Sequence, residues 1–111
     1  MIGEGSCQHY KEGTPTQCSR QFSSVGDIES TCTNQLSCVG YETDKLRDKD
    51  GSILGFLIMS DNTCPTDHNY EKNKGDVMVT SSADLAVEFE NGHVFCYGKS
   101  IGKHLQFEQF L

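Results

Sequence analysis

The chain has 111 residues, 35% of them hydrophobic, with six Cys, no Trp and a net charge of −7. That length and thin apolar content predict a single disulfide-rich domain over residues 1–111. Acidic residues spread along it (Asp44, Asp48, Asp50, Asp61, Asp67, Asp76, Glu88, Glu90) exclude nucleic acid and anionic membranes as non-specific partners, and its longest apolar run, residues 53–59, is too short for membrane insertion.

Residues 1–21, rich in Gly, Ser, Thr and Gln, predict an irregular arm fastened by Cys7 and Cys18. Over residues 23–36, Val25, Ile28, Cys32 and Leu36 fall on one stripe at helical spacing and predict the single helix. Ser24 followed by Asp27 resembles a capping box, while Gly26 inside the helix costs about 1 kcal/mol against Ala. After Cys38, the residues Val39, Tyr41 and Thr43 alternate with Gly40, Glu42 and Asp44, which predicts a half-buried strand. Asp50-Gly51 marks a turn. Residues 53–59 are apolar on both faces and predict a central strand. Residues 61–75 predict a long polar loop, and residues 77–80 a short strand.

Asn91-Gly92 predicts a two-residue hairpin turn, because both residues tolerate positive φ. That turn would pair Glu90 with His93, Phe89 with Val94 and Val87 with Cys96. Leu85, Val87, Phe89, Val94 and Cys96 would then share one face, and Glu88, Glu90 and His93 the other. Residues 105–107 would add a last strand. The sum is an α+β domain, an antiparallel sheet of about five strands packed against one helix.

Cys7, Cys18, Cys32, Cys38, Cys64 and Cys96 form an even set in a short chain. Such a set predicts three disulfides and a secreted, extracellular protein. The opening residues Met1 to Gly5 carry neither a basic nor an apolar leader region, so a removed leader is expected. The segment from Cys32 through Cys38 to Tyr41 resembles the helix-to-strand junction of the PAN/apple family. In that family one Cys ends the helix, five residues intervene, a second Cys opens a strand and an aromatic follows. The resemblance covers about residues 20–64. It implies an antiparallel sheet cradling one helix, and a role in binding proteins or carbohydrates. The chain departs from the family at Ile28, where a further Cys would stand. A Cys18–Cys64 bridge would replace the missing one, and the expected set is Cys7–Cys96, Cys18–Cys64 and Cys32–Cys38, one among the pairings six cysteines allow.

Several residues offer chemistry. Cys7 with His9, Cys64 with His68, and His93 with Cys96 contain zinc-type ligands, but no tight Cys-x-x-Cys pair accompanies them. The turn at Asp48, Asp50 and Gly51 fails as an EF-hand, since Leu46 and Leu57 would hold the first and twelfth positions. No metal and no cofactor is therefore expected. His93 with Glu90 and Glu88 would supply an acid and a base for ribonuclease- or glycosidase-like hydrolysis. The arginines are Arg20 and Arg47 alone, which leaves few cations for phosphate charge. Phe95 opposite Glu88 and Tyr97 opposite Ala86, on the outer hairpin face, join Tyr70 and Asp67 of the polar loop as ligand-binding candidates. Tyr10 and Tyr41 are further aromatics of this kind.

These residues predict a secreted, non-enzymatic recognition module for an extracellular protein or glycan. A small secreted toxin or effector, hydrolytic through His93, Glu90 and Glu88, is the second expectation. A reduced intracellular zinc protein is the third.

Overall fold

The computed structural model describes the backbone of residues 1–11, 13–49, 51–88 and 92–99, and the side chains of these residues other than 46–49. Strand β5 (Ser52–Met59) is apolar on both faces because both faces are covered. Ile53, Leu57 and Met59 enter one core, and Ile58 enters another. β5 lies between β4 (Cys38–Lys49) and β3 (Thr16–Phe22), which makes it the central strand its composition predicts. The sheet continues outward through β8 (Val94–Gly98) to β1 (Gly3–Glu4) on one side, and to β6 (Glu71–Asn73) on the other. β2 (Ser6–His9) and β7 (Leu85–Glu88) form a separate two-stranded sheet. Every pairing among the described residues is antiparallel.

The helix α1 (Val25–Asn34) covers one face of the larger sheet. Its start follows the predicted cap. Ser24 Oγ accepts the Asp27 N–H at 3.0 Å, and the Asp27 carboxylate accepts the Ser23 N–H and hydroxyl at 3.1 Å. Such a cap contributes about 1 kcal/mol. Ile28 and Cys32 are buried against Cys18, Phe22, Cys38, Tyr41, Ile53, Leu57 and Met59. The helix ends at Asn34, so Leu36 does not extend the buried stripe; it lies in the following turn and is 96% exposed. On the opposite face a second core joins Cys7, Val39, Ile58, Val79, Leu85 and Cys96.

Three bridges fasten these layers: Cys7–Cys96, Cys18–Cys64 and Cys32–Cys38. No cysteine is free. Among the described residues no helix is long and apolar enough to cross a membrane.

Several sequence expectations are corrected. The arm is not irregular, for it contributes β1, β2 and β3. Among the described residues strands outnumber the five expected and helix is confined to α1 and a short 3-10 turn at Ser82–Asp84, so sheet dominates and α+β describes the fold only loosely. The polar loop contains the edge strand β6, which pairs with β3 through Gln17↔Asn73, Cys18↔Lys72 and Ser19↔Glu71. Residues 77–80 are not a strand. Strict alternation along β4 fails at Val39, where the register against β5 slips between Cys38 and Gly40. The bulge sends Val39 to the second core and leaves Cys38 and Tyr41 together in the first.

The largest correction concerns the hairpin. Val87 pairs with Cys7, whereas Cys96 pairs with Gly3 and Glu42. β8 has β4 on one edge and β1 on the other, so β7 finds no place beside it. The arm instead runs antiparallel to both. Glu4 faces Phe95, the Gly5 N–H reaches the Val94 carbonyl at 2.7 Å, and Ser6 faces Glu88. The arm thus pairs with β8 through Gly3 and Glu4 and with β7 from Ser6 to His9. The step falls at Gly5, whose φ of 124° is a conformation that side chains oppose. Asn91, Phe89, Glu90 and the expected strand at 105–107 lie outside the described residues.

Candidate functional site

The order of the strands separates the predicted site residues into two groups. Phe95 and Tyr97 stand on β8, while Tyr70 and Asp67 belong to the segment leading into β6. β8 and β3 are three strand spacings apart, about 14 Å.

The segment after β5 is held firmly at its root. Ser37 Oγ donates to Asp61 at 2.7 Å, the Thr63 N–H donates to Asp61 at 3.2 Å, and Thr16 Oγ1 bonds Asn62 Oδ1. The Ser37 and Thr63 hydrogen bonds hold the Asp61 carboxyl below its usual range. Asn62 takes φ of 61°, which Asn tolerates better than most residues. Cys64 is then tied to Cys18 on β3. Beyond this anchor the polar side chains turn outward. His68 Nδ1 lies 3.4 Å from Asp67 Oδ2, with the two side chains 53% and 59% exposed. An exposed pair of this kind contributes well under about 1 kcal/mol to stability, so the fold gains little from keeping it.

Tyr70 lies behind this pair. The His68 ring meets its edge at 6.4 Å, and Phe22 lies 6.5 Å away on the core side. The Arg20 guanidinium sits 3.8 Å from the Phe22 centroid and 5.2 Å from that of Tyr70, while Nη1 donates to the Gln21 carbonyl at 3.0 Å. A guanidinium this close to two ring faces is attracted by their quadrupoles. Asp67, His68, Tyr70 and Arg20 therefore offer a carboxylate, an imidazole, an aromatic edge and a cation in one place. Sequence reading found Tyr70 and Asp67 but missed Arg20 and His68 here. The available signal was the alternation of Cys18, Arg20 and Phe22, which puts the three side chains on one face of β3.

Phe95 and Tyr97 are not opposite Glu88 and Ala86. They pair with Thr43 and Tyr41 across β4 and face the helix side of the sheet. Tyr97 stacks on Tyr41 with centroids 4.7 Å apart and planes 9° from parallel. The Tyr41 hydroxyl donates to Glu29 of the helix at 3.3 Å. Burial, reinforced by the Glu29 charge, pushes the Tyr41 hydroxyl well above its usual range. The Lys45 ammonium lies 5.1 Å from the Phe95 centroid. This strip joins helix to sheet as much as it presents a surface.

Of the proposed acid–base set, Glu88 and His93 lie among the described residues. Glu88 lies on β7 opposite Ser6, in the smaller sheet, and Glu90 is outside the described residues. His93 Nδ1 lies 3.0 Å from Asp44 Oδ1. Asp44 follows Glu42, a residue that sequence reading placed on the open face of β4. In the structure Glu42 is 6% exposed, and its Oε1 accepts the Cys7 N–H at 2.8 Å. Burial pushes its carboxyl up to about 7, aided by the nearby Asp44 charge and opposed by the Cys7 hydrogen bond. Its burial depends on the arm crossing above it, which no local pattern announces. The arm covers the Glu42 carboxyl, so a substrate has no direct path to it.

All six sulfurs are bridged, so the three Cys–His pairings offer imidazole without thiolate. Among the described residues no three His, Cys, Asp or Glu side chains gather as a metal-ligand set. No family model matches this sequence, and neither a curated protein nor a solved structure matches it.

Proposed function

We propose that the chain is an extracellular, non-enzymatic recognition module that binds a protein or carbohydrate ligand. Three closed bridges and no free thiol support an oxidising compartment. The PAN/apple likeness of residues 20–64 agrees with a binding role and belongs to the same proposal. The observation that carries the reading is the segment 61–70. It is pinned by the Cys18–Cys64 bridge and the Asp61 hydrogen bonds, yet it leaves Asp67 and His68 exposed beside Tyr70 and Arg20. A rigid base with outward polar groups and an aromatic neighbour suits recognition of a sugar or a polar protein patch.

The test is a binding screen against glycans and receptor ectodomains, with variants of the ligand-facing residues. Asp67→Ala and His68→Ala should each weaken a saturable interaction by about tenfold, as expected for loss of a hydrogen bond to a charged group. His93→Ala should leave binding unchanged. Hydrolysis of RNA or glycan that disappears with His93→Ala would instead establish the effector reading.

A further inference from the structure

A cavity of about 240 Å³ opens between the end of the helix and the segment before the 3-10 turn. Its walls are Leu36, Cys38, Val39, Thr80, Ser81, Ser82 and Lys99. None of these residues belongs to the Asp67–Tyr70 surface. Two features of its lining call for a ligand of mixed character.

The first is apolar. Leu36 is 96% exposed at the rim, and Val39 is the residue that the β4 bulge diverts to this side. The second is a cation. The Lys99 N–H is fixed to the Val39 carbonyl at 3.0 Å, and its ammonium donates to the Gln35 carbonyl at 2.8 Å. An ammonium has three donors. Among the described residues, that neutral carbonyl is its hydrogen-bond partner, and no carboxylate pairs with it. Partial burial pulls its ionisation below the usual lysine range, because the charged form lacks full hydration. The Ser81 hydroxyl oxygen already accepts the Ala83 N–H at 3.2 Å, which leaves its own hydrogen to donate. A space of this size admits a short chain of heavy atoms.

We propose that this cavity binds a short-chain apolar carboxylate, with the carboxylate on the Lys99 ammonium and the hydrocarbon against Leu36 and Val39. The anion would complete the coordination of the ammonium, and the chain would cover the exposed leucine. A sugar fits less well, because most of the lining is apolar.

The experiment is a titration of the full chain with hexanoate, followed by calorimetry and by NMR shifts of Leu36, Val39 and Lys99. Hexanamide and acetate serve as controls that lack the charge and the chain, respectively. Hexanoate should bind saturably and at least about tenfold more tightly than either control. Lys99→Met should erase the preference for hexanoate over hexanamide. Leu36→Ser, a change at a fully solvated side chain that cannot disturb the core, should weaken hexanoate without changing acetate. Absence of saturable shifts, equal binding of hexanoate and hexanamide, or an unchanged preference in Lys99→Met would overturn the proposal.

Discussion

Glu42 is the residue whose ionisation the fold most alters. Its carboxyl moves from an ordinary value of 4.5 to about 7, chiefly through burial under the arm. The folded state therefore binds a proton that the unfolded chain has lost between these values. Stability from this source is fully present below 4.5 and is lost as pH rises through 7. The shift corresponds to about 3 kcal/mol. Unfolding in urea should show a falling midpoint between pH 5 and pH 8. Glu42→Gln keeps an acceptor for the Cys7 N–H and removes the titration, so its midpoint should be flatter across that range and higher than wild type at pH 8. A wild-type midpoint that rises over the same range would contradict this account. His93 Nδ1 lies beside the Asp44 carboxylate next to the β4–β8 ladder, and Glu88 pairs within the smaller sheet.

At the scale of elements, the close approach of Leu85 on β7 to β4 depends on Gly40. A Cβ there would stand 2.6 Å from Leu85 Cδ1 and 2.6 Å from the Tyr97 carbonyl oxygen. The leucine could rotate, but the carbonyl belongs to the β8 backbone. Gly40→Ala should destabilise by about 1 to 3 kcal/mol. Gly26→Ala, where the nearest atom is Ser24 Oγ at 3.6 Å, should stabilise by up to about 1 kcal/mol. Thermal melts of the two variants test the contrast, and equal shifts would count against the close approach at Gly40. The same elements show what was legible in the chain. β5 could be read because both its faces are apolar, and α1 because its cap and stripe agree. β2 and β3 escaped because several of their buried positions are polar, as at Gln8, Thr16 and Ser19. Asn91-Gly92 signalled a reversal, but partner choice follows from the arm competing for β7, which is a long-range matter. The site was half legible for the same reason. Tyr70 and Asp67 lie in one polar segment, whereas Arg20 reaches them only through the β3–β6 pairing.

For the molecule as a whole, the bridges replace what the thin core lacks. In the chain-entropy account, the bridge spanning 89 residues restrains the unfolded state by about 4 to 5 kcal/mol, and the one spanning 6 residues by about 2 kcal/mol. Replacing Cys7 and Cys96 by Ala should therefore lower the urea midpoint more than replacing Cys32 and Cys38. The reverse order would place the stabilisation in the helix junction instead. The three bridges are consistent with an extracellular location, in keeping with the recognition role proposed above.

The three bridges are nested, since Cys32–Cys38 falls within the span of Cys18–Cys64, which falls within that of Cys7–Cys96. A single peptide-bond cleavage anywhere between Cys7 and Cys96 therefore yields two polypeptides that stay covalently joined. The exposed segment at Asp67 and His68 is the natural place for such a nick. A protease meeting the molecule there would open one surface loop without releasing a fragment, and only a reductant would complete the separation.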